Sequence, residues 1–309
     1  MAGDGAPAYA LSNDAAIFSP DPKKDLVFTK DALIAGVHFF ENDPPDLIAQ
    51  KALRVNLSDL ASMGADPQGF LLALALPKNM QDKDAWVKDF AIGLRNDQTR
   101  YKCKLWGGDT VSTDGPIVIS ITAIGQVNKG VNPSRSGAKL GDDIYVSGTL
   151  GNAAAGLLVI KDELDQERYS DLVNSYHLPE PRLKLGQELV GFTTSLMDVS
   201  DGLIGDLSHI CRNSKVGAEI NLSKIPKSLA LGNLLETKNV YGHVVWGGGD
   251  DYELLFTAHK NDADNIRNLS DRLGLKLTKI GKVTQGDRVI LLDDEANEVE
   301  TDLKGFRHF

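Results

Sequence analysis

Apolar positions in this chain gather into short continuous runs, separated by longer stretches in which they recur about every four residues. Phe70–Leu76, Val118–Ile124, Ile144–Ser147, Leu254–Thr257 and Val289–Leu292 read as strands, since short apolar, β-branched runs suit a buried ladder. Val118–Ile124 is rich in Ile and alternates little, which predicts a strand buried on both faces. Trp86, Phe90 and Leu94 stand one turn apart and mark one stripe of an amphipathic helix. Ala153–Leu164 and Asn265–Leu273 also read as helices, the second stopped by Gly274. Lys51–Ala65 predicts a largely buried helix through Leu53, Leu57, Leu60, Ala61 and Met63, ending before Gly64. Asn56 and Asp59 are three apart and share a face of it. An aspartate on so apolar a helix needs a hydrogen bond, a bound cation or an ion pair, Lys51 and Arg54 being the local candidates for the last.

Strand and helix runs mix along the whole chain, and Val131–Gly137 reads as a linker near its middle. The expected fold class is therefore α+β, with two α/β-mixed domains at residues 1–134 and 138–309. A length of 309 residues agrees with two domains at about 150 residues each. The charge count narrows the partners: 33 Lys+Arg against 43 Asp+Glu leaves −10, which disfavours general binding to nucleic acid or to an anionic membrane. Phe70–Leu76, the longest apolar run, falls far short of the roughly 20 residues that span a bilayer. The N-terminus shows no basic-then-apolar leader. Cys103 and Cys211 read as buried reduced thiols, and the cytoplasm is the expected compartment.

The chemistry lies where glycines meet aspartates. Leu105–Trp106–Gly107–Gly108–Asp109, Val245–Trp246–Gly247–Gly248–Gly249–Asp250–Asp251 and Leu196–Met197–Asp198–Val199–Ser200–Asp201–Gly202 each predict a strand ending in a tight turn that presents a carboxylate. So many aspartates suit hard divalent cations, because Mg²⁺ takes oxygen ligands from a few carboxylates plus substrate phosphates. Acid–base hydrolysis of a sugar would need only two carboxylates. Bound cations would also let an acidic cleft accept phosphates. No Walker-type loop, no G-x-G-x-x-G, no C-x-x-C pair, no H-E-x-x-H and no G-x-S-x-G elbow occurs. Gly148–Thr149–Leu150–Gly151 stands between a strand and a helix, where it either cradles phosphate or simply turns the chain.

At these residues the sequence resembles the thiamine-monophosphate kinase family. The resemblance is carried by Asp31 with Gly36–Val37–His38–Phe39, Lys51–Ala65 with Asp66–Pro67, and Gly107–Gly108–Asp109–Thr110. Further along the chain it is carried by Arg135–Ser136–Gly137–Ala138 with Gly141–Asp142, Asp198–Leu203, Gly248–Leu254 and the terminal Lys304–Phe309. The motifs keep the family's order over nearly the whole chain. That family is related to aminoimidazole ribonucleotide synthetase, selenophosphate synthetase and a hydrogenase-maturation dehydratase.

The resemblance implies in-line transfer of the γ-phosphoryl of ATP to thiamine monophosphate, giving thiamine diphosphate, with no covalent nucleophile on the enzyme. It implies several Mg²⁺ ions held at Asp14, Thr29, Lys30, Asp31, Asp59, Asp109, Asp198 and Asp201. Gly108, Asp109, Arg135 and Ser200 would contact ATP, while His38, Asp250 and Leu303 would face the thiamine substrate. It further implies a homodimer built through N-terminal domains, with the C-terminal sheet covered by helices. The chain departs from the family pattern at four places: Asn13 and Lys30 in the metal region, Asp250 where a glutamate is usual, and Leu303 where an aromatic is usual, with Phe306 nearby. The alternatives are another ATP-dependent enzyme of the same superfamily or a non-catalytic Mg-nucleotide-binding homologue. The reactive N-terminal Cys of a selenophosphate synthetase and the C-terminal Cys of the dehydratase are both missing.

Overall fold

A computed structural model describes residues 5–161, 164–237 and 242–299. Two compact units emerge, Met1–Leu60 with Ala65–Val131 and Ala61–Gly64 with Asn132–Phe309. In the first, β1 (Lys24–Ile34), β2 (Asp66–Pro77), β3 (Lys104–Thr113) and β4 (Val118–Asn128) form a sheet of order β1-β4-β2-β3. β4 pairs antiparallel with β1 and β2, whereas β2 and β3 run parallel and are joined by helix α2 (Lys83–Tyr101), the long crossover that a parallel pair requires. Helix α1 (Pro45–Ser62) buries Leu53, Leu57 and Leu60 completely, and Gly125 of β4 lies close under Leu60.

The expectation that Val118–Ile124 is buried on both faces is corrected. Ile119, Ile121 and Ala123 are buried, but the alternate Val118, Ser120 and Thr122 are partly exposed. The alternation along β4 therefore leaves Val118, Ser120, Thr122 and Gln126 partly exposed on one face, while Ile124 on that face is buried. On α2 the predicted stripe holds: Trp86, Phe90 and Leu94 are buried, and the first two rings stack with centroids 5.0 Å apart.

The second unit carries β5 (Asp143–Ser147), β6 (Thr193–Asp198), β7 (Gly217–Asn221), β8 (Leu254–Ala258), β9 (Leu277–Thr284) and β10 (Val289–Leu292), in the order β10-β7-β9-β5-β8-β6. Around them run α3 (Asn152–Ile160), α4 (Gln166–His177), α5 (Leu183–Leu189), α6 (Leu203–Ser214), α7 (Leu229–Thr237), α8 (Val244–Gly247) and α9 (Ala263–Leu273). Both faces of this sheet are covered, which is why β5 and β8 are buried at every position. Ile144, Val146 and Leu255 join α3 and α6 residues such as Val159, Leu207 and Ile210 in one core. Tyr145, Leu254 and Phe256 face the other way, toward Leu185, Leu189, Ile266 and Leu269. Helix α9 ends at Gly274, which takes the left-handed φ of 59° as its C-cap.

Two other expectations shift. Ala153–Leu164 is helical only to Ile160. Val245–Gly247 belongs to the short α8 rather than to a strand. The fold is thus mixed α/β with two sheets and flanking helices.

Candidate functional site

In the first unit, the two-residue period of β1 puts Thr29 and Asp31 on the face covered by α1. Thr29 Oγ1 donates a short hydrogen bond to Asp59 Oδ2. The fully buried Asn56 accepts the Asp31 N–H at 3.2 Å and donates to Ala52 O at 3.0 Å. Helix α1 therefore docks its shared Asn56–Asp59 face on the two strand residues, and Asp59 is matched by a hydroxyl. Arg54 instead holds Asp97 of α2, through Nε at 2.7 Å and Nη2 at 2.9 Å, with Gln50 adding a third donor at 3.0 Å. Lys51 Nζ donates to His38 O at 3.2 Å.

Lys30 is placed differently from the expectation that set it among metal-holding residues. It points to the opposite face of β1, where its ammonium donates to Ser120 Oγ at 2.7 Å. A protonated amine has no lone pair for a cation, and strand alternation removes it from the face of Thr29 and Asp31. His38 accepts the Ile34 N–H at Nδ1, 3.1 Å away, so its ring proton sits on Nε2. Asp14 is exposed.

Gly107, Gly108 and Asp109 lie inside β3, not at a turn that ends it. The parallel pairing with β2 continues through them to Thr113. Gly108 is needed there for close strand approach, since a Cβ would fall 2.0 Å from Leu72 O. Asp109 is exposed on this edge strand and accepts the Thr110 N–H at 2.8 Å.

In the second unit, Asp198 ends β6, and Ser200 and Asp201 form the turn into α6. Asp206, in the first turn of α6, accepts N–H groups from both Ser200 (3.0 Å) and Asp201 (3.1 Å). Burial pushes the Asp206 carboxyl up to about 8, and the charges of Asp198 and Asp201 add to that, while its two N–H donors pull the other way. Sequence reasoning missed Asp206; an acid in the first turn of a helix is the signal that would have found it. Arg135 is exposed on a loop fixed by Ser214 Oγ, which accepts the N–H groups of Gly137 (3.1 Å) and Ala138 (3.2 Å).

The loop after α8 is fastened by two further carboxylates. Asp251 accepts the Gly151 N–H at 2.6 Å and the Ala153 N–H at 3.2 Å. Desolvation pushes the Asp251 carboxyl up to about 7 against those donors. The start of α3 is thus filled by a side chain of the protein itself, and Gly148–Gly151 is a strand-to-helix turn. Glu253 holds Arg182 at 2.7 Å and 2.5 Å and accepts the Ser147 hydroxyl at 2.5 Å. Asp250 accepts the Tyr252 hydroxyl at 3.3 Å. Leu303 and Phe306 lie outside the described residues. Cys103 and Cys211 are buried free thiols, pushed up by burial to about 12 and about 11.

Among the described residues no group of three or more His, Cys, Asp or Glu side chains is arranged to hold a metal ion. Asp59 and the backbone of Asp31 are held by neighbours on facing elements of the first unit, and Asp198 and Asp201 flank the turn anchored by Asp206 in the second. That fits Mg²⁺, which commonly takes one or two carboxylates and completes its shell with waters and substrate phosphates. None of the described helices is long and apolar enough to cross a membrane.

Residues 12–127 match the model of the AIR synthase related protein, N-terminal domain, and residues 139–294 that of the C-terminal domain. Thiamine-monophosphate kinase of Escherichia coli K12 is 38% identical over 302 residues, 97% of this chain and 91% of that one. The Caulobacter vibrioides enzyme of the same name is 38% identical over 91% of this chain and 80% of its own. A crystal structure of thiamine-monophosphate kinase from Stenotrophomonas maltophilia superposes with TM-score 0.84 at 40% identity, covering 91% of this chain and 89% of that one. AaThiL complexed with AMPPCP and TMP gives TM-score 0.81 at 31% identity, over 97% and 94%. With relatives this similar matched along nearly their full length, the chain belongs to the thiamine-monophosphate kinase family.

Proposed function

We propose that this protein transfers the γ-phosphoryl of ATP to the phosphate of thiamine monophosphate in line, giving thiamine diphosphate and ADP in a cytoplasmic setting. The observation that carries this reading is the match to thiamine-monophosphate kinases over 97% of the chain, together with a similar protein described as complexed with AMPPCP and TMP. Functional domains at residues 1–134 and 138–309 belong to the same proposal. Asp14, Thr29, Asp31, Asp59, Asp109, Asp198 and Asp201 would hold Mg²⁺; Gly108, Asp109, Arg135 and Ser200 would bind ATP; His38 and Asp250 would bind the thiamine moiety. Mg²⁺, when bound, neutralises the phosphates that must approach one another.

The chain's own part is positioning. Asp206 holds the backbone of Ser200 and Asp201, Asn56 holds Asp31, and Ser214 holds the loop that carries Arg135. Arg135 offers a charged fork to phosphate. A carboxylate at Asp250 suits the cationic thiazolium ring. The attacking group is the substrate's own phosphate oxygen, already ionised at neutral pH, so no side-chain nucleophile is needed. The test is incubation with ATP, Mg²⁺ and thiamine monophosphate. Equal amounts of ADP and thiamine diphosphate are expected, with loss of both on chelation. ATP binding without thiamine diphosphate would support a non-catalytic homologue instead.

A homodimer through the outer face of the first sheet is part of the same reading. Register places Phe28, Leu71 and Val111 on that face, and all three are exposed, by 64%, 42% and 51%. Exposed apolar rows on a sheet call for a covering partner, and a second copy supplies a matching one. Phe28→Asp is expected to convert a sedimenting dimer to a monomer with unchanged far-UV circular dichroism. A variant that stays dimeric would place the interface elsewhere.

A further inference from the structure

The segment Gly249–Glu253 is held in a conformation that its own sequence does not favour. Asp250 has φ of 70° and Tyr252 φ of 51°, so two non-glycine residues stand in the left-handed region on either side of Asp251. For an aromatic residue this is an uncommon state, and it persists only where the surroundings enforce it. The enforcing contacts come from the residues between and after them. Asp251 reaches the first turn of α3, taking the N–H groups of Gly151 and Ala153. Glu253, 5% exposed, is gripped by Arg182 and Ser147, and Ser147 Oγ also accepts the Leu254 N–H at 2.9 Å. The Glu253 carboxylate fills the place a Cβ on Gly148 would take, 1.9 Å from its Oε1.

A second set of bonds ties the same segment to the Asp198–Gly202 turn. Asp250 N–H donates to Ser200 O at 2.9 Å, Tyr252 N–H to Val199 O at 2.8 Å, and Val199 N–H to Glu253 O at 2.8 Å. A Cβ on Gly249 would stand 2.5 Å from Ser200 O, so the two backbones meet without room for a side chain.

We propose that Asp251 and Glu253 are positioning residues that hold the strained tip carrying Asp250, and thereby set the enzyme's grip on the thiamine moiety. The inference rests on the kinase reading above. Neither side chain touches substrate in this scheme; each acts through Asp250. The Ser200–Asp201 turn has a further anchor in Asp206 that the tip lacks, so loosening the tip disturbs the nucleotide side less than the thiamine side. The effect therefore falls mainly on one substrate.

The test compares Asp251→Ala, the milder Asp251→Asn and Glu253→Gln with the wild type, by steady-state kinetics and by amide hydrogen exchange without ligands. Asp251→Ala is expected to raise KM for thiamine monophosphate about tenfold, while kcat and KM for ATP change by less than about threefold. Exchange at Gly249–Tyr252 is expected to quicken about tenfold, with Asp251→Asn and Glu253→Gln moving the same way by less. Should Asp251→Ala fail to fold, Asp251→Asn carries the same comparison. Faster exchange confined to α3, with unchanged KM values, would show that Asp251 merely caps a helix and would overturn the proposal. So would equal losses toward ATP and thiamine monophosphate. Wild-type protein that makes no thiamine diphosphate, yet shows the exchange pattern, would sink the kinase reading and leave the clamp standing.

Discussion

Asp109→Asn is expected to lower turnover by about 10²–10³-fold while leaving the protein folded, the effect typical of removing one electrostatic stabiliser of a developing charge. Asp109 is exposed on the edge strand β3, and its carboxylate is bonded to the N–H of the next residue, Thr110. Amide replacement keeps an acceptor for that bond, so the stability cost stays below about 1 kcal/mol. On the proposed reading, what it removes is the negative charge that would hold a metal on the nucleotide. Turnover measured beside a melting curve separates the two roles. A melting temperature lowered as far as by a core truncation, with turnover little changed, would make Asp109 structural.

The largest stability effect is expected at Asp97→Ala. Arg54 and Asp97 are 3% and 1% exposed, joined by two short bonds between α1 and α2, and Tyr101 lies under the guanidinium at 5.6 Å. Truncating Asp97 leaves a buried guanidinium without its carboxylate, which costs about 3–5 kcal/mol. Replacing both partners by apolar residues, Arg54→Met with Asp97→Leu, is expected to recover most of that loss, because neither charge then has to be desolvated. Urea unfolding of the three variants checks this. A single-variant loss under about 1 kcal/mol would show that water reaches the guanidinium. Since α1 also carries Asn56 and Asp59, loosening its packing on α2 is expected to weaken metal-dependent activity before the protein unfolds.

Much of the site was legible along the chain. The period of two in β1 already separates Thr29 and Asp31 from Lys30, and a spacing of three already puts Asn56 beside Asp59. The same alternation turns the Lys30 side chain to the opposite face, where it meets Ser120. Gly107–Gly108–Asp109 looks along the chain like a turn that ends a strand, but the parallel neighbour β2 needs its bare backbone inside the ladder. Asp251, Glu253 and Arg182 carry no local pattern that names their partners, which lie 71 to 106 residues away.

By itself the sequence determined the element types, the two mixed domains' composition of strands and helices, the family and the identity of the aspartates, since these follow from local periodicity and contiguous motifs. Tertiary structure alone decided which carboxylates are turned inward as anchors and which are left exposed. Asp250 and Asp251 are neighbours of the same type, yet one stands on a left-handed tip and the other caps a helix that begins 99 positions earlier, at Asn152. Arg182 and Glu253, 71 residues apart, meet in the same way. A carboxylate's role is set by the donors and charges around it, and folding brings those from distant parts of the chain.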